Sequence, residues 1–169
     1  MPPPQTTHIF TLRVQAGTES LNASHPQSKI SRHITSLVGG FLRGVPGTRA
    51  EGFNATLVTG GSDWVLRDEA SNIIHLDVRT QGRTDSGDGV YIQYKGHLVL
   101  DKQSRKFMSR DGDAEMTAFG DHDWWVVVGF EVSDPGYEWV QRTMFFGRGR
   151  FYVEGDLRAV EYEVFAVQN

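Results

Sequence analysis

The sequence contains no cysteine among its 169 residues, which excludes disulfides, thiolate nucleophiles and cysteine metal sites. Its longest apolar run, residues 124–130, is too short to cross a bilayer. The net charge is −4 and no basic stretch alternates with aromatic residues, so we do not expect a nucleic-acid partner. Residues 1–5 lack the basic and apolar regions of a secretory signal, so we expect a cytoplasmic protein without membrane contact.

Motifs for metals and cofactors are missing as well. His122 lies between two aspartates but has no partners at the spacing that zinc requires. The acidic residues in 111–115 alternate as in a calcium loop, yet the required glycine and distal glutamate are lacking. Residues 147–150 are rich in glycine, but no helix follows them as a phosphate-binding loop would need. We therefore expect neither a metal nor a cofactor.

Glycine is plentiful, at 19 residues, and falls mostly between short segments rich in Val, Ile, Tyr, Phe and Trp. That arrangement is typical of an all-β chain with tight turns. It predicts a single-domain antiparallel β-barrel over residues 1–169, with residues 1–7 disordered. We expect strands at residues 8–14, 52–59, 62–67, 73–80, 90–95, 97–101, 124–132, 139–146, 149–154 and 158–167.

Three further segments of the sequence have patterns of their own. Residues 15–29 are polar and indicate a loop. Residues 30–42 carry apolar residues at helical spacing, but two consecutive glycines would break a helix, so helix and strand both remain open. Residues 124–132 are apolar on both faces, so we expect both to be covered. In a one-layer barrel this predicts a filled interior or contact with a second copy of the chain.

A strict two-residue alternation in residues 73–79 places His75, Asp77 and Arg79 on one face of a strand, opposite an aliphatic face. Such a charged face can be a solvated exterior or the wall of a polar pocket. We expect it to line the barrel interior. His75 is then a candidate proton carrier, and an ordinary surface histidine otherwise.

Four carboxylates are candidates for chemistry: Asp63, Asp77, Asp88 and Glu131. If two or more of them point into the interior, burial and mutual repulsion raise at least one pKa. Such a group can act as a general acid near neutral pH, while a partner held by Arg79 stays ionised. The structural alternative is an ion pair of Arg79 with Asp77 or Asp63, and a turn-capping Asp88.

Aromatic residues offer a second candidate site. A wall of Trp and Tyr would suit a flat apolar ligand, with hydroxyl groups fixing its orientation. The alternative is an ordinary aromatic core. The set comprises Trp64, Tyr91, Tyr94, Trp124, Trp125, Tyr137 and Trp139.

Several ordered segments together resemble the DUF3237 family over residues 8–167. They are Leu37-Val38-Gly39-Gly40-Phe41, Gly60-Gly61-Ser62-Asp63-Trp64, Leu76-Asp77-Val78-Arg79, Asp88-Gly89-Val90-Tyr91-Ile92, Phe130-Glu131, Tyr137-Glu138-Trp139-Val140-Gln141 and Val160-Glu161-Tyr162-Glu163-Val164-Phe165. The resemblance implies a small antiparallel barrel, in outline like allene oxide cyclase or a lipocalin, and a strand rather than a helix at 30–42. The family has no generally assigned activity. Some fungal members belong to natural-product pathways, where cofactor-free barrels can act as cyclases, isomerases or dehydratases. Gln141 stands where the family has an asparagine.

The resulting hypothesis is a cofactor-independent lyase or isomerase, such as a dehydratase or cyclase, acting on a small apolar natural-product-type substrate in the barrel. Asp63 or Asp77 would be the acid, and Arg79 would hold charge or polarise a carbonyl. The expected substrate-binding residues are Trp64, His75, Asp88, Tyr94, Glu131, Trp139 and Gln141. Two alternatives stay open: a non-catalytic carrier or sensor of small molecules, and an oligomerising structural β module.

Overall fold

The computed structural model describes residues 2–168 of the chain, and its strands form one antiparallel sheet that closes into a ring. This confirms the predicted all-β barrel. The strands are β1 (Gln5–Asn22), β2 (Ile30–Gly44), β3 (Asn54–Leu57), β4 (Ser62–Asp68), β5 (Ile73–Thr84), β6 (Gly89–Val99), β7 (Trp124–Val132), β8 (Phe145–Glu154) and β9 (Leu157–Gln168). A helix α1 (Lys102–Met108) follows β6, and a 3₁₀ helix (Pro135–Arg142) follows β7.

The ring closes because β1 pairs with both β9 and β2, while β5 pairs with β3, β4 and β6. Alternate residues of each strand point inward, as in any closed sheet. In β7 these are the buried residues, whereas Trp125 and Val127 are exposed on the outside. The interior is packed with aliphatic and aromatic side chains, so the inner face of β7 is covered as expected, whereas the expected cover over its outer face is not present within residues 2–168 of the single chain. The largest fully buried side chains are Trp124, Tyr162, Phe10, Phe145, Phe151, Leu12, Leu42, Ile74 and Ile92.

Helix α1 covers one end of the barrel. It begins after Asp101, whose carboxylate accepts a hydrogen bond from the backbone N–H of Ser104, while the Ser104 hydroxyl accepts one from the N–H of Asp101. The Phe107 ring of the helix stacks on Phe151, with 4.3 Å between ring centroids. These contacts fix α1 across the end of the interior.

The 3₁₀ helix covers the opposite end. Asp134 precedes it and accepts a hydrogen bond from the N–H of Gly136, which starts the helical turn at Pro135. Its Trp139 ring is buried and stacks parallel to Phe10 at 6.0 Å. The predicted strand at 139–146 is therefore wrong, because the Asp-Pro-Gly turn continues into this helix and β8 begins only at Phe145.

The first two strands are longer than predicted. The predicted disorder at residues 1–7 does not hold for residues 5–7, which already pair with β9; Met1 lies outside the described residues. The predicted loop at 15–29 is wrong over its first half, because β1 continues to Asn22 in a hairpin with β2. Residues 30–42 form a strand, as the family resemblance implies, rather than a helix.

Two glycines explain features of the sheet that looked like breaks. The predicted strands at 90–95 and 97–101 are one strand, β6, with Gly96 inside it. A glycine is needed there because a Cβ would meet the Trp125 carbonyl oxygen at 1.9 Å. Gly40, at φ 132°, has its Cα against the backbone of Arg13. It lies where β2 changes its neighbour from β4 to β3.

Candidate functional site

Asp63 is the predicted catalytic residue that points into the barrel. It lies on β4 and pairs with Thr35 of β2 and Val78 of β5. Paired residues of neighbouring strands share a face, and Val78 is fully buried in the core. The next residue in the same row is Tyr94 of β6, whose ring is also buried. The carboxyl therefore lies at the boundary between the β4 backbone and the aromatic interior.

The hydrogen-bond ladder between β4 and β5 is interrupted beside this carboxyl. Asp63 pairs with Val78, and pairing resumes only at Leu66 with His75. The carbonyl of Trp64 instead accepts a hydrogen bond from the Arg32 guanidinium at 2.6 Å. The backbone N–H of Asp77 is directed at the Asp63 carboxyl. Side chains thus satisfy backbone groups that the ladder would otherwise pair, and the barrel wall is locally open here.

The environment of Asp63 favours its protonated form. Burial raises the pKa of Asp63 to about 7, and the nearby charge of Asp77 acts in the same direction. A hydrogen bond from the Asp77 backbone N–H and the charge of Arg32 lower it less. The carboxyl atom Oδ1 is sealed from solvent and has no hydrogen-bond partner among residues 2–168. Both protonation states of Asp63 are therefore populated near neutral pH.

Two phenols lie inside the barrel near this carboxyl. The rings of Tyr94 and Tyr162 meet edge to face, with 5.1 Å between centroids, and Trp124 meets Tyr162 at 5.4 Å. Burial raises the pKa of both tyrosines, and the charge of Asp63 raises them further. Both hydroxyls therefore stay protonated and can donate hydrogen bonds. We call Asp63, Tyr94, Trp124 and Tyr162 the interior cluster.

The solvent exposure of the inner face differs between strands. On β5 and β7 alternate residues are fully buried, whereas every residue of β4 is partly exposed. In register with β4, the inner face of β2 carries polar residues beside Asp63, beginning with Thr35 and continuing to His33 and Ser31. Arg67 lies on the same face of β4, about 13 Å along the strand from Asp63. Water thus reaches the interior face along β2 and β4.

The charged face of β5 points the other way. His75 and Arg79 are exposed and Asp77 is partly exposed, while the aliphatic residues between them are buried. Asp77 pairs outside the barrel with Arg79 at 3.3 Å and Lys95 at 3.2 Å. The expectation that this face lines the interior is wrong. Alternation assigns residues to faces, but a filled barrel accepts the aliphatic face and leaves the charged one in water.

Trp64, Asp77 and Arg79 nevertheless lie close to Asp63, on the outer side of the open ladder. The Arg79 guanidinium lies 5.6 Å from the centre of the Trp64 ring. The charge of Asp77 contributes to the raised pKa of Asp63. Of these three residues, Asp77 is the one that influences the pKa of the interior carboxyl, through its charge and its backbone N–H.

The other predicted binding residues are dispersed. Glu131 and Gln141 line an outer recess of about 480 Å³ together with Tyr91. Asp88 accepts hydrogen bonds from the hydroxyls of Ser86 and Ser133, as the turn-capping alternative predicts. Trp139 belongs to the end cap. Of the predicted substrate-binding set, only Tyr94 lies inside near Asp63.

Sequence reasoning missed Tyr162 and Arg32. In β9 the neighbouring inward residues are Val160, Val164 and Ala166, so Tyr162 is the one inward position with a polar group among them. That substitution in an apolar row is the signal that could have found it. Arg32 has no such signal, since the pairing of β2 with β4 is what brings it to Trp64.

A second recess, of about 460 Å³, lies between β4 and α1 and is basic. Its lining combines Arg67 with Lys102, Arg105 and Lys106 of the helix. Glu69 pairs with both Arg67 and Arg105 and so neutralises part of the charge. Among residues 2–168, no group of three or more His, Asp or Glu side chains is placed to hold a metal ion. No helix of the described chain is long and apolar enough to cross a membrane.

Comparison with known proteins gives a family and a fold. The model of a family described as a protein of unknown function (DUF3237) matches residues 4–167. A conserved protein of unknown function from Rhodopseudomonas palustris superposes with a TM-score of 0.79 at 21% identity, over 99% of both chains. A beta-barrel like protein from Acinetobacter baumannii gives 0.72 at 20%, over 99% of this chain and 98% of that one. A structure described as an enzyme from Penicillium herquei gives 0.64 at 15%, over 99% and 97%. No curated protein matches.

Proposed function

The chain belongs to the DUF3237 family, and we propose that it is a cofactor-independent lyase or isomerase in which Asp63 transfers protons on a small, largely apolar substrate. The catalytic group in this proposal is one interior carboxyl. Asp77 and Arg79 support it from outside the wall. The small molecule is the expected partner, and the cytoplasm is the expected location.

One observation carries the proposal: Asp63 has a pKa of about 7 and a carboxyl oxygen without a hydrogen-bond partner among residues 2–168. An unsatisfied buried oxygen destabilises a fold, which makes the residue that carries it a candidate for a functional role. A carboxyl that titrates near the working pH is suited to both halves of a proton transfer. Replacing it with an apolar residue would improve packing and remove that capacity.

A dehydration illustrates the chemistry. Ionised Asp63 takes the proton from the carbon between a carbonyl and a hydroxyl-bearing carbon, and the electron pair of that bond moves into an enolate. The enolate then forms the carbon–carbon double bond as the C–O bond breaks. Protonated Asp63 gives its proton to the departing hydroxyl, which leaves as water. The carboxylate is regenerated, so neither a cofactor nor an oxidant is consumed. Returning the proton to a different carbon would give an isomerisation instead.

The tyrosines supply the complementary charge stabilisation. Tyr94 and Tyr162 remain protonated, so their hydroxyls can donate hydrogen bonds to a carbonyl oxygen as negative charge develops on it. The aromatic rings around them pack together in the filled interior, so a substrate would have to part them, and they would then present apolar surface to it. An apolar compound with one carbonyl matches this combination.

The partly exposed face of β2 and β4 is the proposed route to the cluster. Thr35 lies directly beside Asp63 there, and the ladder between β4 and β5 is interrupted at the same place. The Penicillium herquei structure, described as an enzyme, supports catalysis on this fold at the level of analogy.

The test uses two simple probes that carry the required groups. β-Tetralone reports proton abstraction by taking up deuterium from heavy water, and a phenyl-bearing β-hydroxy ketone reports dehydration by forming an absorbing enone. We expect Asp63→Asn to slow both reactions by about 10²- to 10⁴-fold. The matched control is Asp156→Asn, which removes an exposed carboxylate in the β8–β9 turn and should change neither rate.

Three results would contradict the proposal. Equal rates for the Asp63→Asn variant and the native chain would remove Asp63 from the chemistry. Binding of both probes with return of unaltered, undeuterated compound would identify a carrier instead. Absence of both binding and turnover with these probes would leave the interior cluster without its proposed substrate class.

A further inference from the structure

The outer surface of the barrel carries a continuous strip of apolar side chains opposite the open wall. Trp125 of β7, Phe146 of β8, Phe165 of β9 and His8 of β1 follow one another across four strands. Successive ring centroids are 6.0, 5.4 and 5.4 Å apart. Val127 pairs with Phe146 and extends the row. We call these five residues the aromatic strip.

Two members of this strip are exposed, and the other three are partly exposed, namely His8, Phe146 and Phe165. Trp125 is 42% exposed, Val127 58%, and Met144, which lies before β8 at the strip's edge, 62%. Burying such side chains would contribute roughly 25 cal/mol for each Å² removed from water. Large contiguous apolar surface on a soluble protein marks an interaction site more often than an accident of composition.

The charges beside the strip indicate which partner fits. Arg148 of β8 and Glu163 of β9 lie opposite each other in the row next to Phe146 and Phe165, and they form an ion pair at 2.6 Å. A two-fold axis parallel to the strands, between β8 and β9, exchanges these two strands between copies. Arg148 then faces the partner's Glu163, and Phe146 faces the partner's Phe165. The surface is complementary to itself in both charge and apolarity.

From this we propose that the chain forms a two-fold symmetric dimer through the aromatic strip, with a second copy of itself as the partner. The two ion pairs would join into a four-charge network at the rim of an apolar centre. Strand β4, with Asp63, lies across the ring from β8 and β9, so both openings stay free in the dimer. The proposal does not depend on the chemistry proposed for Asp63.

The first experiment measures mass in solution by sedimentation from nanomolar to high micromolar concentration. We expect the native chain to reach twice the mass of one chain. Val127→Glu should weaken the dimer by about tenfold or more in Kd. The control is Val38→Glu on β2, which replaces another exposed valine, 39% exposed, with the same charged residue away from the strip. It should leave the Kd unchanged.

The second experiment tests the symmetry directly. The Arg148→Glu chain carries two negative charges in the row, and the Glu163→Arg chain carries two positive ones. Each should be monomeric alone, because like charges then face each other across the axis. An equimolar mixture should form a heterodimer, detected by native mass spectrometry. Circular dichroism of each variant establishes that the barrel is folded.

Either experiment can overturn the proposal. A native chain that stays monomeric at every concentration has no such interface. A dimer that Val127→Glu leaves intact uses another surface. If the two charge variants fail to associate on mixing while the native chain dimerises, the interface lacks the two-fold pairing of Arg148 with the partner's Glu163.

Discussion

Two carboxylates of the sheet, the buried Glu161 and the partly exposed Asp63, are accommodated in opposite ways. Glu161 on the outer face of β9 is only 3% exposed, and its oxygens accept charge-assisted hydrogen bonds from Arg13 at 2.7 Å and Arg150 at 3.0 Å. The Arg13 guanidinium stacks 3.5 Å from the centre of the Tyr152 ring, which encloses the group further. Asp63 on the inner face has no bonded cation and one oxygen without a partner among the described residues.

The difference separates a carboxylate that is held by ion pairs from one that is not. A buried charge that is fully paired is held in one geometry and in its ionised form. A buried carboxyl without such pairing is free to change its protonation state, at a cost to the stability of the fold. Burial alone therefore does not identify a functional residue. The pairing of its polar atoms has to be considered as well.

The largest expected effect breaks the paired side of the comparison. Glu161→Gln should lower the free energy of unfolding by about 3 kcal/mol, because it leaves Arg13 and Arg150 without their shared counterion. Urea unfolding followed by tryptophan fluorescence measures the change. Glu163→Gln should lower the free energy of unfolding clearly less, because Glu163 pairs with a single arginine, Arg148, which is more exposed. Equal losses for both variants would contradict the structural role of Glu161.

The next prediction concerns the pH dependence that Asp63 gives to stability. Its pKa rises from 3.8 in the unfolded chain to about 7 in the barrel, so between these values the folded state binds more protons. Its contribution to the free energy of unfolding therefore falls as pH rises through this range, by up to about 1.4 kcal/mol per pH unit.

Asp63→Asn should remove this slope. Urea unfolding of both proteins from pH 4 to pH 8 measures it as their difference, since all other carboxylates are common to the two. Asp156→Asn serves as the exposed control and should reproduce the native profile. A constant difference between native chain and Asp63→Asn variant across the range would mean that the pKa is not raised.

The same comparison holds for two buried hydroxyls. The Thr117 hydroxyl forms a hydrogen bond with the His122 ring at 3.1 Å and accepts one from the Phe151 N–H at 3.0 Å. The Thr80 hydroxyl has no hydrogen-bond partner among residues 2–168. Thr117→Val should destabilise by about 1–3 kcal/mol, and Thr80→Val should be neutral or stabilising. Thermal melting measures both, and the reverse order would contradict the assignment.

The smallest expected effect comes from Asp77. Its charge adds to the raised pKa of Asp63 but contributes less than burial does. Asp77→Asn should therefore lower the pKa of Asp63 modestly without returning it to the ordinary range. An unchanged pKa of Asp63 in this variant would mean that the two carboxylates do not interact across the wall.

Much of the fold could be predicted because strands are encoded locally. Residues 124–132 are a run of mostly β-branched and aromatic residues that ends at turn residues, and β7 has the predicted bounds. The orientation of β5 could not be predicted, since alternation is symmetric and only the closed ring decides which face is inside. The 3₁₀ helix was missed because Asp134-Pro135 predicts a turn equally well whether a strand or a helix follows.

The candidate site was predictable only in part. Asp63 could be singled out as a carboxylate between a double glycine and a tryptophan. Its partners come from β2, β6 and β9, so the site depends on closure of the barrel, which brings together residues far apart in the chain. Tyr162 is nearly one hundred residues from Asp63 in sequence, and no local pattern links the two.

The most direct test of this account is an NMR titration of the Asp63 side-chain carboxyl carbon in the folded protein, assigned by comparison with Asp63→Asn. The account predicts a midpoint at about pH 7, with both forms present at neutral pH. A midpoint near 4, the ordinary value for an aspartate, would show a solvated carboxylate and would contradict the assignment of Asp63 as the proton-transferring group.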